Sequence, residues 1–355
     1  MGRNALSIRM RGLGRGFLRF VVMAALMLAS GPSVAFQRLA TGLELEGRTA
    51  VGKDRSGITD DHSIPRVDVF HLAPRAPQQP AVRSGAESQG VPKTFPDMTP
   101  AELARAVPEL KQLKSAKNQD MLPLILQRVG ATVADFFNNF STATCTEHVT
   151  SAVDTPMASM AHHYDLKFNY VALAEAGADK TRLREYRTDS KGEPVQIRGA
   201  VVTLGFVAMP ALFHPDYQRD SRFQYLGREQ WKGQSSLVVA FAQRPGVARQ
   251  AGRVTFDDKA GFVFEQGVAW IDPVNFRIIR LRTDIQQPEL NVGLQRETTE
   301  VEYSEMAFKE GGKKLWVPRE VIVVGELNRY KFHNRHSYSD YRLFVVRTED
   351  KPKSP

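Results

Sequence analysis

The run LPLILQRVGATVADFFNNF, residues 122–140, carries the clearest helical pattern in the chain. Its apolar side chains recur every three or four residues, which is the period of a helix; they are Ile125, Val129, Val133, Phe136, Phe137 and Phe140. Pro123 suits a first helical turn, and Gly130 weakens the helix by about 1 kcal/mol without ending it. The sequence therefore predicts one long amphipathic helix, which needs a large apolar surface to lie on.

A succession of strand-like runs follows this helix and supplies such a surface. The clearest are Leu166–Glu175, Leu183–Thr188, Phe223–Trp231, Leu237–Gln243, Phe262–Ile271, Arg277–Ile285, Thr298–Phe308, Trp316–Leu327 and Tyr330–Val346. Turn residues separate them, as at Asp189–Gly192 and Asp272–Asn275. Because the connections are short and no helical segments alternate with the strands, we expect an antiparallel meander.

Alternation along these runs predicts how the sheet is covered. Phe262, Phe264, Val268 and Trp270 share one face of their run, which is typical of a sheet with one covered and one wet face. A long twisted sheet of this kind curls. We therefore predict an α+β fold, in which a strongly curved antiparallel sheet of about nine strands forms an incomplete barrel around the long helix. A closed barrel or a two-sheet sandwich is the alternative.

The first 35 residues have the pattern of a secretory signal peptide. They begin with a basic leader that has no acids and contains Arg3, Arg9, Arg11, Arg15 and Arg19. The apolar run 20–29 follows, and then small residues at Ser33 and Ala35. An uncleaved anchor is the alternative, but this run is too short to cross a hydrocarbon core of about 30 Å. We expect export to the periplasm or beyond, with cleavage between Ala35 and Phe36.

Residues 36–94 have little periodic apolar pattern and are rich in Gly, Pro, Ser, Arg and Gln. Such a segment buries too little apolar area to offset its ordering entropy, so we predict a disordered or loosely ordered linker. Within it, residues 64–72 have the pattern of an edge strand. A capping box at Thr99 indicates that order begins there. The predicted division is a domain at 95–348 and a disordered tail at 349–355.

Charge and cysteine content narrow the classes of function. The chain has 48 Lys and Arg against 39 Asp and Glu, a net charge of +9. Five of these arginines lie in the leader, so cleavage lowers the charge to +4 and a nucleic-acid partner is not indicated. Cys145 is the single cysteine, so no internal disulfide forms. We expect it to be buried, with an intermolecular bridge or a reactive thiol as alternatives.

The stretch FVAMPALFHPDY, residues 206–217, interrupts the meander with an apolar loop or short helix. It is either a gate over a hydrophobic groove or a plug that covers the barrel mouth. The candidate ligand-contacting residues come from this stretch, from the helix and from one strand; they are Phe206, Met209, Leu212, Phe213, Val133, Phe137, Phe264 and Trp270. For Trp270, a place in the core is the alternative.

The sequence contains no catalytic or metal-binding motif that we recognise. His162 and His163 point to opposite faces of an extended strand, as do His333 and His336, and no HExxH or G-x-S-x-G pattern is present. We therefore predict no catalytic residue, metal or cofactor. A hydrolase that uses Cys145 or a histidine-bound metal is the weakest hypothesis.

Several segments resemble known families. Residues 261–273 (GFVFEQGVAWIDP) and 278–284 (IIRLRTD), with the export signal and the helix, are similar to the periplasmic lipoprotein-localisation carriers and to a sigma-factor-regulating sensor with the same half-barrel. Residues 136–148 and 334–346 more closely resemble a group of exported bacterial proteins with no assigned activity. The resemblance spans roughly residues 97–347 and rests on turns and strand ends.

This resemblance implies a half-barrel whose concave face binds an acyl chain, a lipidated protein or a peptide. The first hypothesis is therefore a non-enzymatic exported binding protein that holds such a ligand in a hydrophobic concavity. The alternative is an envelope sensor or scaffold that acts through a protein partner and fills its groove with its own side chains.

Overall fold

The structure is a computed structural model. It describes residues 67–74, 93–154, 161–176, 181–193, 195, 201–256, 259–308 and 314–343. These residues form mostly antiparallel β-sheet with few helices. The predicted signal peptide at 1–35 and the predicted tail at 349–355 lie outside the described residues.

The helical elements are short, except for one. The α-helices of the described residues are Pro100–Ala106 (α1), Leu122–Asn139 (α2) and Pro215–Gln218 (α3), and the 3-10 helices are Phe95–Asp97, Pro108–Gln112 and Met209–Phe213. The predicted capping box starts α1, because Thr99 accepts from the N–H of Glu102 and the Glu102 carboxylate accepts from the N–H of Thr99. The predicted long helix is α2, and it ends one residue before the predicted boundary.

Fifteen strands are present in the described residues, more than the nine that the pattern predicts. They are Val67–Pro74 (β1), Lys114–Ser115 (β2), Ala143–Asp154 (β3), His162–Ala176 (β4), Thr181–Thr188 (β5), Val201–Leu204 (β6), Ser221–Trp231 (β7), Gln234–Gln243 (β8), Gln250–Phe256 (β9), Lys259–Val263 (β10), Glu265–Ile271 (β11), Ile278–Ile285 (β12), Leu294–Ala307 (β13), Lys314–Leu327 (β14) and Tyr330–Leu343 (β15).

The strands form two sheets. The larger has eleven strands in the order β2-β7-β8-β11-β12-β13-β14-β15-β3-β4-β5, and its neighbours pair antiparallel. It is open, with β2 and β5 at its edges. The smaller sheet has the order β10-β9-β1-β6, and its β1–β6 pair is parallel. A closed barrel is therefore not the architecture of the larger sheet.

The nine predicted runs do not include β2, β3, β6 or β9, and other strands differ in extent or pairing. The predicted run 262–271 is broken at Phe264, so β10 belongs to the smaller sheet and β11 to the larger. The strand at β3 is absent from the predicted set, although it lies between β15 and β4. β1 lies within the segment predicted as a linker, and it pairs on both sides rather than at an edge.

The larger sheet is buried on both faces over part of its area, which corrects the prediction of one wet face. An inner core packs α2 against the sheet through Ile125, Val129, Val133, Phe137 and Phe140. On the opposite face, an outer core contains Phe95, Leu103, Val107, Leu110, Val238, Val268 and Trp270. Because the segment 95–112 covers that face, the central strands β8 and β11 are almost wholly buried.

Gly267 lies where two strands and an aromatic ring meet inside the sheet. A Cβ at this position would come within 2.0 Å of the Arg282 carbonyl oxygen and 2.7 Å of the Phe241 ring. We expect Gly267→Ala to lower the free energy of unfolding by about 2–3 kcal/mol, as overpacking does. Urea unfolding measures the effect. The matched control is Gly246→Ala, whose Cβ would meet nothing within 4 Å; an equal loss in both variants would contradict the prediction.

Candidate functional site

A wholly apolar segment packs against both α2 and the larger sheet. We call residues 205–213, GFVAMPALF, the plug. Gly205 begins it with a φ of 101°, which glycine adopts without steric cost, and Pro210 lies in the first turn of the 3-10 helix. Phe206 is 0% exposed, and all of Met209–Phe213 is buried. The predicted apolar interruption of the meander is therefore a buried short helix.

The plug contacts strands on one side and α2 on the other. The ring centroids of Phe213 and Phe241 lie 5.6 Å apart. On the helix side, the Gln218 side chain donates from Nε2 to the carbonyl oxygens of Leu126 (2.8 Å) and Phe213 (2.9 Å). A Cβ on Gly130 would lie 2.6 Å from that Nε2 atom. The glycine that weakens the helix thus allows it to approach the plug closely.

Glu185, on β5, holds the start of the plug. Its carboxylate accepts hydrogen bonds from the N–H groups of Gly205 and Ala208, each at 2.9 Å. The hydroxyl of Tyr170 donates to the same carboxylate. Hydrogen bonds to a carboxylate are stronger than those between neutral groups, so this single side chain fixes the turn that opens the plug.

Two further side chains bind main-chain carbonyl groups, one of β6 just before the plug and one of the plug itself. Arg187 Nη2 donates to the Thr203 carbonyl oxygen at 2.7 Å, and Tyr303 Oη donates to that of Phe206 at 2.9 Å. We call the side chains of Glu185, Arg187 and Tyr303 the latch. They come from β5 and β13, so the latch joins the plug to two distant parts of the larger sheet.

A buried ion pair supports the latch. Arg187 makes a two-pronged contact with Glu147, with Nε–Oε2 at 2.5 Å and Nη2–Oε1 at 2.7 Å. His336 Nδ1 lies 2.9 Å from Glu147 Oε1, and Tyr338 Oη donates to that oxygen at 3.1 Å. Glu147 and His336 are both 0% exposed. Removing one partner of such a pair would leave an uncompensated buried charge.

The pKa values of this cluster follow from its charges. Burial opposes ionisation of Glu147, but the charge and hydrogen bonds of Arg187, with those of His336, outweigh it and lower the pKa of Glu147 to about 2. Burial also opposes the charge of Arg187, and Glu147 raises its pKa nevertheless. For His336, burial dominates and lowers the pKa, so the imidazole is held neutral. A neutral imidazole donates from Nδ1 to the carboxylate.

Strand alternation places these groups. On β15, His336 and Tyr338 face inward while His333 and Arg335 face outward, as the sequence pattern predicts. On β3, inward positions include the polar Glu147. The latch and its ion pair could not be predicted from the sequence, since Arg187 and Glu147 are 40 residues apart and form no local motif.

The structure brings six of the eight sequence-predicted ligand-contacting residues into the inner core; they are Phe206, Met209, Leu212, Phe213, Val133 and Phe137. Trp270 lies in the outer core instead, where its indole N–H donates to Glu229 at 2.7 Å and Arg280 stacks on its ring. Phe264 is half-buried at the crossing between the two sheets. Trp270 misses the inner core because its face of β11 is the one that the segment 95–112 covers, and Phe264 misses it because it falls at the break between β10 and β11.

Cys145 and His148, which a hydrolase could use, lie in different surroundings. Cys145 is buried and free, and burial, with the nearby Glu147 charge, raises the pKa of its thiol. His148 pairs with Asp165 at 2.6 Å on an exposed face. Within the described residues, no group of three or more His, Cys, Asp or Glu side chains is placed to hold a metal ion. No helix in this part of the chain has the length and hydropathy needed to span a membrane.

Comparison with known proteins gives similarities in structure. No protein-family model and no curated protein matches the sequence. The chain is similar to a domain described as an outer membrane lipoprotein-sorting protein from Vibrio parahaemolyticus, with 12% identity, a TM-score of 0.33 and coverage of 61% of this chain and 91% of that chain. It is similar to a DUF1329 family protein from Desulfovibrio piger (9%, TM-score 0.35, covering 64% and 94%). It is also similar to the Mycobacterium tuberculosis lipoprotein LppX (10%, 0.22, 64% and 99%).

The cluster around Glu147 makes stability sensitive to acid. The unfolded histidine takes up a proton as the pH falls through about 6.5 while His336 in the folded chain does not, so stability is lost first below about pH 7. The folded Glu147 carboxylate stays ionised to about pH 2, so a second loss of roughly 3 kcal/mol is expected as the pH falls from about 5 to 2. Urea unfolding across this pH range measures both.

A pair of variants controls the acid prediction. We expect His336→Gln to abolish the loss above about pH 5 and Val274→Ser, at an exposed position, to leave the profile unchanged. A wild-type profile that is flat between pH 7 and 5 would contradict the part assigned to His336.

Proposed function

We propose that the chain is a non-enzymatic, exported binding protein that holds an apolar ligand between α2 and the inner face of the larger sheet. The ligand classes are an acyl chain, a lipidated protein or a peptide. One observation carries the proposal: an apolar segment outside both sheets already fills this position and is fixed there by Glu185 and Tyr303, while Arg187 holds β6 just before it. A ligand in place of the plug would contact the same apolar side chains and the same hydrogen-bonding groups.

The proposal includes a larger sheet that curves around α2 as an incomplete barrel. α2 contacts both β5 and β7, which stand nine positions apart in the strand order. In a flat sheet, spacings of about 4.8 Å would separate these strands by roughly 40 Å, whereas α2 is about 27 Å long. The two contacts support curvature of the sheet towards the helix.

The plug competes with any ligand because it belongs to the same chain. A tethered competitor acts at a high effective concentration, so it lowers the apparent affinity of a free ligand. Burial of the ligand's apolar groups offsets this loss of affinity, at about 0.8 kcal/mol for each methylene group. Weakening the plug should therefore strengthen ligand binding.

The test is the double variant Leu212→Ser/Phe213→Ser, which removes apolar contacts of the plug and leaves the latch in place. Two probes are titrated separately: a dansyl-labelled fatty acid and a fluorescein-labelled synthetic peptide of residues 201–214 with two added lysines. We expect the variant to bind at least one probe about tenfold more tightly than the wild type, a difference of about 1.4 kcal/mol. Fluorescence enhancement and anisotropy measure binding.

The matched control is Val274→Ser, which removes an apolar side chain that is 85% exposed. It should bind both probes as the wild type does. Circular dichroism and a cooperative thermal transition establish that each variant is folded. A folded plug variant that gains affinity for neither probe would contradict the proposed function.

A second candidate function is favoured by the burial of nearly the whole plug, including all of Met209–Phe213. A groove that its own chain fills permanently serves as a scaffold or envelope sensor, whose outer surface binds a protein partner. In that case hydrogen exchange of the plug amides would stay at the level of global unfolding, whereas a displaceable plug exchanges through local opening. This measurement on the wild type separates the two candidates.

Export forms part of the proposal, with signal-peptide cleavage between Ala35 and Phe36. We expect intact mass measurement of the protein from the periplasmic fraction to give a chain that begins at Phe36. The variant Ala35→Gln, which places a large residue at the −1 position, should accumulate as the uncleaved precursor. A mature chain that retains residues 1–35 would contradict the cleavage.

A further inference from the structure

We infer that the ligand of this site is an apolar polypeptide segment bound through its main chain, and that the plug occupies the site as an internal copy of that ligand. The inference rests on the proposed function and names its ligand class. It rests on the observation that the latch hydrogen-bonds to main-chain atoms of residues 203–208 and not to their side chains.

The four hydrogen bonds of the latch end on main-chain atoms. Glu185 accepts from two N–H groups, those of Gly205 and Ala208. The two latch donors reach carbonyl oxygens, since Arg187 donates to Thr203 and Tyr303 donates to Phe206. Three of these four atoms belong to the plug, and the Thr203 carbonyl lies on β6, two residues before Gly205. The latch thus contacts two main-chain donors and two main-chain acceptors within residues 203–208. A polypeptide offers one of each at nearly every residue, and main-chain hydrogen bonds are a recurring means of peptide recognition.

An acyl chain does not provide hydrogen-bond partners for these groups. With a hydrocarbon in place of the plug, Glu185 would lose two N–H donors and Tyr303 would lose its acceptor, because a hydrocarbon offers neither. Polar groups left unpaired away from water are costly, and a carboxylate more so than a neutral group. A peptide restores the hydrogen bonds and also supplies apolar side chains for the inner core.

The charge balance of the latch also fits an uncharged main chain. Arg187 is already neutralised by its two-pronged contact with Glu147, so it does not need an anionic head group. Its further hydrogen bond goes to an uncharged main-chain group, the Thr203 carbonyl oxygen on β6 just before the plug. The plug further indicates a turn at the start of the ligand, since Gly205 has positive φ and the N–H of Met209 bonds to the Gly205 carbonyl.

The test uses the folded Leu212→Ser/Phe213→Ser chain and the labelled peptide of residues 201–214. N-methylation of this peptide at the position of Ala208 removes one donor to Glu185 and leaves the side chains unchanged. We expect binding to weaken about tenfold or more, as loss of a hydrogen bond to a charged group does. Methylation at the position of Val207, which takes no part in the four contacts, is the matched control and should change binding by less than about threefold.

A protein-side variant tests the same contact set. Adding Tyr303→Phe to the plug variant removes one donor to a main-chain carbonyl. We expect peptide binding to weaken by about fivefold, with no change for the dansyl-labelled fatty acid. Equal weakening of both probes would assign Tyr303 to packing alone and overturn its role in main-chain recognition.

The outcomes separate the inference from the proposed function. Binding of the fatty acid alone, or peptide binding that is equally sensitive to either methylation, overturns the inference and leaves the proposed function standing. Binding of neither probe to the folded variant overturns both. If the plug variant does not fold, hydrogen exchange of the wild type with excess peptide replaces it: faster exchange at the amides of Gly205 and Ala208 supports displacement of the plug, and unchanged exchange overturns the inference.

Discussion

The ion pair between Glu147 and Arg187 constrains the part of the molecule where the plug lies. Two opposite charges lie in the protein interior, and each is satisfied only while β3, β5 and β15 keep their registers. A slip of one residue on β3 would turn Glu147 to the outer face and leave Arg187 buried without its partner. The inner face at this end of the sheet is therefore fixed by electrostatics as well as by apolar packing.

The two cores lie on opposite faces of the larger sheet. The inner core holds α2 and the plug, while the outer core covers the opposite face with the segment 95–112. β8 and β11, the third and fourth strands of the larger sheet, are buried from both sides. Movement of the plug would then leave the sheet and the outer core in place, since the plug belongs to neither strand layer.

The sequence predicts the elements whose signal is local. The stripe on residues 122–140 gives α2, and the alternation of the run 330–346 gives the inward and outward sides of β15. β3 escapes prediction because polar residues such as Glu147 occupy its inward positions, so its two faces look alike. The break at Phe264 has a non-local cause, since the N–H of Glu265 bonds to the side chain of Gln243. The latch likewise depends on contacts between distant strands, which periodicity does not encode.

The chemistry of the latch argues against a plug held by apolar packing alone. Replacing a buried ion pair with well-packed apolar residues is often neutral or stabilising, so burial alone gives no reason to keep Glu147 and Arg187 beneath an apolar segment. Directional hydrogen bonds fix the positions of particular main-chain atoms, whereas apolar packing does not. A site that only had to exclude water would need no such discrimination. Charged groups that bind main-chain atoms inside an otherwise apolar core are therefore what the proposed recognition of a peptide main chain would require.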